Sequence, residues 1–196
     1  MHLVLDIFQG IGVAAAIGMR PFLPSLVVGA LAAGDIQADF AHTSYSFMAQ
    51  PGFLLVMVFG VVVLGLAERR ATREALSQRS VTLGLGAIAV ALGALLFAAL
   101  LAHGNELAWP GWIAGAICAA IGIGATGPLL ARVRSRLDAQ TSGVLPLLWE
   151  GAAVVAAAAS VVAPGVGVVL LAALLWLLWA GRGHGERKYA GLRILR

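Results

Sequence analysis

Six stretches of the chain are apolar almost without interruption, and the polar positions fall between them: 7–31, 52–67, 81–102, 108–131, 144–163 and 165–181. A bilayer core about 30 Å thick takes about 20 apolar residues of helix, so each stretch is read as a transmembrane helix. The second and sixth are short, and either recruit flanking residues or sit with little tilt. Only Pro164 and a glycine separate the last two, which predicts a tight helical hairpin. Pro110 and Pro164 stand where helices begin or turn, where proline does little harm. The pattern predicts an all-α integral membrane protein of six transmembrane helices. It forms a single domain over 1–196, ending in a basic tail at 182–196.

The charges between the stretches orient them. Arg69, Arg70, Arg73 and Arg79 form one cluster, Arg132, Arg134 and Arg136 a second, and Arg182, Arg187, Lys188, Arg193 and Arg196 a third. Six spans with both termini cytoplasmic put all three clusters in the cytoplasm. The opposite loops, 32–51 and 103–107, carry Asp35, Asp39 and Glu106 and no Lys or Arg. That is the positive-inside distribution, and a missed or extra helix would break it. Trp109 and Trp112 fit the outer interface, and Trp176 and Trp179 the inner one. In the 32–51 loop, Phe40, Tyr45, Phe47 and Met48 predict a segment that lies on the membrane surface or folds over the outer mouth.

Composition agrees. Of 196 residues 61% are hydrophobic and 11% charged, too few charges to cover a soluble domain. This excludes an ordinary globular enzyme, a disordered tail and a nucleic-acid-binding module. The 25 glycines suit closely packed membrane helices. A net charge of +4 would ordinarily suggest an acidic partner, but here its placement matters more. Cys118 is the single cysteine, so neither an intrachain disulfide nor a cysteine metal site can form. The first segment does not read as a signal peptide, because no basic residue precedes Arg20, which would itself interrupt the apolar region.

The first and fourth stretches are both Gly-rich and interrupted by proline. GIGVAAAIGMRPFLP from Gly10 compares with GAICAAIGIGATGPLL from Gly115. Two repeats, 1–104 and 105–181, of three helices each would enter the membrane with opposite orientation. A matched pair of interrupted helices is where such folds place a central site.

Arg20 is the one basic residue inside a span. Counted from Ile7 it lies about 20 Å along the helix. A charge there costs at least about 2.5–3.5 kcal/mol, so it should face protein or water. Pro21 lacks an N–H and frees the carbonyl of Ile17, and Pro24 frees that of Arg20, so the helix should kink or break. Arginine beside the N-terminus of the next half-helix favours an anion. The freed carbonyls suit a cation instead, or Arg20 itself, which would then lock the kink. Glu150 is the only acid well inside another span, about 9 Å from its inner end and about 10 Å deeper toward the cytoplasm than Arg20. It either pairs with Arg20 through tilt or snorkelling, carries protons, or reaches the inner interface beside Trp149. Gly122, Gly124, Gly127 and Pro128 would loosen the fourth helix, Pro128 freeing the Gly124 carbonyl, or else serve close packing. Thr126 would satisfy the local backbone. The four histidines lie outside or at the ends of spans and suggest no metal site. No cofactor is expected.

The GMRPFLP stretch at 18–24, the FAHTSYSFMAQPGF segment and the terminal KYAGLRILR resemble a family of small bacterial polytopic membrane proteins, a domain of unknown function. The resemblance spans nearly the whole chain and implies an inner-membrane helical bundle with no activity to carry over. A more distant likeness, in architecture alone, is to trimeric cation channels of two inverted three-helix repeats, whose lysine motifs are missing here.

These readings point to a small transport protein of the bacterial cytoplasmic membrane, channel or carrier. Its site would lie between the first and fourth helices, with Arg20 setting charge selectivity and Glu150 gating or carrying protons. A homo-oligomer is expected, with anionic lipid headgroups at the basic loops and tail and no nucleic acid. The alternative is a non-transporting scaffold or accessory subunit. A membrane enzyme ranks third, for want of a catalytic cluster.

Overall fold

The structure, a computed structural model, describes residues 2–34, 36, 40, 43–70, 75–104, 106–134 and 144–182. Asp35, Asp39, His42, Arg73, Arg136 and the tail beyond residue 182 lie outside them. The described residues form seven α-helices: α1 (His2–Met19), α2 (Phe22–Ala33), α3 (Pro51–Arg70), α4 (Ala75–His103), α5 (Trp109–Arg134), α6 (Leu145–Val162) and α7 (Pro164–Arg182). A short 3-10 turn, Ser46–Ala49, precedes α3. Four apolar stretches are long enough to cross a membrane: Thr82–His103, Trp109–Val133, Leu145–Val162 and Pro164–Gly181. The described residues are helical and have the makings of a membrane protein, and the sequence boundaries of α3 to α7 hold to within a few residues, apart from the first turns of α4.

The helices α4 to α7 form two antiparallel hairpins. Across the first, Gly111 packs on Ala98 and Gly115 on Gly93 and Ala94. Pro164 opens α7 directly after Ala163, giving the tight second hairpin. At the other end of the bundle the Arg132 guanidinium donates to the Gly181 carbonyl at 3.0 Å. The C-terminal ends of α5 and α7 therefore lie together, called here the arginine end. The 103–109 and 162–164 turns lie at the far end.

The first helix runs opposite to the expectation. Asp6 abuts Gly104, Gly10 abuts Phe97, and the Ala14 carbonyl lies near Gly93, so α1 is antiparallel to α4. It enters from the far end. Phe8 and Gly12 abut Gly167 near the start of α7, and Gln9 bonds to Val161 at the end of α6. The chain then breaks at Arg20, and α2 doubles back. Phe22 packs beside Gly60, while Gly29 packs beside Leu54 and the Met48 carbonyl. That turn is tied to the far end by the Trp112 indole, which donates to the Tyr45 hydroxyl at 3.1 Å. The stretch read as one crossing helix, 7–31, is thus two helices that reverse direction at Arg20.

Two further expectations change with it. The N-terminal end of α1 lies at the far end, whereas the last described residues lie at the arginine end, so the two do not share a face. And α1 runs parallel to α5, crossing it where Ala15 and Gly18 meet Ala119 and Gly122. Inverted repeats require paired helices to run in opposite directions, so the pairing of the stretch from Gly10 with that from Gly115 does not hold, whereas α2 does run opposite to α5. Alanine- and glycine-rich helices match by composition, and this similarity carries no direction.

The small residues of α1 explain its place. From Gly12 to Gly18 every residue is buried, and α4, α5, α6 and α7 all pack against it. A Cβ on Gly18 or Gly122 would overlap the backbone of the partner helix. Only side-chain-free positions allow four helices to surround a fifth at this distance. After α2, Phe40 and Met48 are fully buried in the main core beside Val28, Leu100 and Val161. By contrast α3 packs chiefly against α2 and the 3-10 turn. It exposes Leu55, Val56, Phe59, Val62 and Leu66, an apolar face suited to lipid.

Candidate functional site at the Arg20 turn

Arg20 occupies the tip of the α1–α2 hairpin. The residue before a proline is pushed out of the helical region, so Arg20–Pro21 is where α1 must stop. The Arg20 N–H still donates to the Ala16 carbonyl at 3.1 Å, closing the last turn. Pro21 withholds the N–H that would reach Ile17, and Pro24 does the same for Arg20. Pro21 is itself helical, with φ −74° and ψ −42°, and starts α2. Ser25 Oγ donates to the Pro21 carbonyl at 2.6 Å, fixing the first turn. The predicted break at Ile17, Arg20, Pro21 and Pro24 is present.

The electrostatics of this turn follow from the two helix ends. The C-terminal carbonyls of α1 present negative partial charge, and the N-terminal amides of α2 present positive partial charge, at the same place. Arg20 is 7% exposed and engaged in polar interactions. A cation is stabilised by the α1 end, and the α2 end adds donors for an anion.

Re-entry alters the relation between Arg20 and Glu150. The register set by Gln9 with Val161 and Gly12 with Ser160, continued along α1 and α6, brings Arg20 level with residues 150–152. Glu150 is therefore at the depth of Arg20, not about 10 Å deeper. The sequence estimate counted Arg20 from the wrong end of the bundle. Glu150 is partly buried and, like Arg20, has polar interactions. Next to it, the Trp149 indole N–H is buried and makes no hydrogen bond. Counted from the register of Ala14 with Gly93, Arg20 lies near residue 87 of α4, about 8 Å from the arginine-end limit of that helix's apolar stretch.

The predicted partner helix behaves differently. Pro128 lies inside α5, which continues unbroken to Arg134. Gly122 is a backbone contact with α1, so the place proposed between the first and fourth helices is closed by packing. Thr126 Oγ1 donates to the Gly122 carbonyl at 2.7 Å, as expected of a residue serving the local backbone. A side chain at Gly127 would meet open space. Gly124 and Pro128 instead line a cavity of about 380 Å³ between α5 and α7, with Arg132 and Trp176. Arg20 and Glu150 do not line it.

Asp6, Gln9, Ser25 and Ser160 are buried polar residues that escaped the sequence reading, and the first two reach furthest from their own helix. Gln9 Nε2 donates at 2.8 Å to the Val161 carbonyl, one of the terminal carbonyls of α6 that lack an intrahelical partner. Asp6 is buried under Gly104, where a side chain would take its place. Both stand just at the start of the apolar stretch, and a window opened at Ile7 cuts Asp6 off. The signal was their depth relative to α4, which depends on the direction of α1. Among the described residues, no three of His, Cys, Asp and Glu gather as a metal site. No family model, curated protein or solved structure matches the chain.

Proposed function

We propose that the chain is a small transport protein of the bacterial cytoplasmic membrane, channel or carrier, passing an ion or small polar solute at the Arg20 turn. The observation that carries this reading is a buried arginine at the tip of a re-entrant hairpin, level with Glu150 on α6. Ionisable groups held inside a membrane mark solute pathways, and broken helices there line cavities rather than lipid. Arg20 and the α2 amides are positive or donors, which favours an anionic solute. Glu150 would oppose that charge until the solute replaces it, the behaviour of a gate. In the membrane, α3 to α7 would cross and α1–α2 would dip in from the outer face, with the arginine end cytoplasmic. So few helices leave little room for a pore, and we read the working unit as a homo-oligomer.

The rival reading, a scaffold or accessory subunit, is favoured by the closed packing around α1, where Val13 to Ile17 are fully buried. Liposome flux separates the two. Wild type should move at least one small anion faster than empty vesicles, Arg20→Gln should reduce that rate at least tenfold, and Glu150→Gln should alter gating. No flux across a panel of ions and polar solutes, together with a stoichiometric co-purifying partner, would overturn transport in favour of the scaffold.

A further inference from the structure

The cavity between α5 and α7 lies outside the transport machinery and has its own chemistry. It runs from Gly124 to Arg132 along α5, eight residues or about 12 Å of depth. Its walls are Leu129 and Leu178, with Trp176 at the open flank, where it is 64% exposed. The space exists because side chains are missing. A Cβ on Gly124 would meet only a Leu178 methyl at 3.4 Å, and one on Gly181 only the Arg132 guanidinium at 3.7 Å.

Arg132 stands at the arginine end of this groove. Its Nη2 donates at 3.0 Å to the Gly181 carbonyl, which bridges α5 to α7 and holds the guanidinium across the mouth. A guanidinium carries five N–H donors in a planar fork whose shape and charge match phosphate. The sequence adds Arg134, Arg136 and Arg182 within a few residues, with no acid before Asp138. A cation at one end and apolar walls rising toward the membrane centre describe an amphiphile with an anionic head. A soluble anion fits less well, since it would leave the apolar slot unfilled.

We infer that this groove binds one anionic phospholipid, its phosphate on Arg132 and one acyl chain against Leu178 and Trp176. Basic pockets between helices at the cytoplasmic side have the chemistry such headgroups require.

The test uses the full chain in nanodiscs and in detergent, with phosphatidylglycerol and phosphatidylcholine as probes and native mass spectrometry as the readout. One phosphatidylglycerol should remain bound through delipidation, with at least about tenfold preference over phosphatidylcholine. Arg132→Gln should remove most of that preference, since a charge-assisted bond is lost. Gly124→Leu should displace the lipid although the arginine is kept. Gly84→Leu, facing open space on α4, controls for folding and should retain it. Soluble glycerol phosphate should not compete. Equal retention of both lipids, retention unchanged in both groove variants, or displacement by glycerol phosphate would each overturn the site. The experiment does not depend on solute flux, so its failure and that of the transport reading are separate outcomes.

Discussion

At the scale of the residue, the fold rests on what is missing from side chains as much as on what is present. Gly18 and Gly122 let α1 and α5 meet backbone to backbone, whereas Gly127, five residues further along α5, touches nothing. The two positions should respond differently to added volume. Gly18→Val should destabilise by about 1–3 kcal/mol or more through overpacking. Gly127→Ala should be neutral or stabilise by up to about 1 kcal/mol through helix propensity. Thermal unfolding in detergent reads both, and equal effects would contradict the packing. Gln9 shows the complementary rule: a polar side chain is kept in an apolar interior because Val161 offers a carbonyl with no helical partner.

At the scale of the element, one dipeptide decides the path of the chain. Arg20–Pro21 ends α1, and α2 returns toward the end from which α1 came. The break was legible in the sequence, because proline removes a donor and restrains its predecessor wherever it stands. The return was not. A break permits a kink within one crossing or a reversal, and the choice depends on which neighbours bury α2. Here they are α3 and α6. The two geometries separate positions 6 and 104 differently. A single crossing with both termini on one side puts them about 30 Å apart, at opposite membrane surfaces. The hairpin puts them in contact. With Cys118→Ser as background, Asp6→Cys combined with Gly104→Cys should cross-link in high yield with a short bifunctional maleimide. No cross-link, in a protein that folds and inserts, would return α1 to the single-crossing arrangement.

For the whole molecule, the direction of α1 sets sidedness. The described arginines at the ends of α3, α5 and α7 share one end, whereas the first helix begins at the other. In sealed right-side-out vesicles, a cysteine introduced by Leu3→Cys should react with a membrane-impermeant maleimide. One introduced by Val144→Cys, exposed just before α6, should react only after permeabilisation. Reaction of both positions from the same side would contradict the arrangement. The same reversal brings Arg20 and Glu150 to one depth, and it moves the cavity-lining role of Gly124 and Pro128 away from Arg20. The candidate residues were legible because charge and proline are rare within apolar stretches. Their grouping was not, since depth along a helix has meaning only once its direction is known.

The sequence by itself determined the solvent, the helices and the rare residues worth attention. Those follow from local composition: enough consecutive apolar residues to make a helix stable in lipid, and proline or arginine to interrupt it. Tertiary structure alone decided that α1 and α2 form a hairpin, that α1 runs with α5, and that Glu150 stands level with Arg20. These are relations between segments. They are settled by which small residues allow backbones to touch, and a pattern read along one strand of text contains no such pairing.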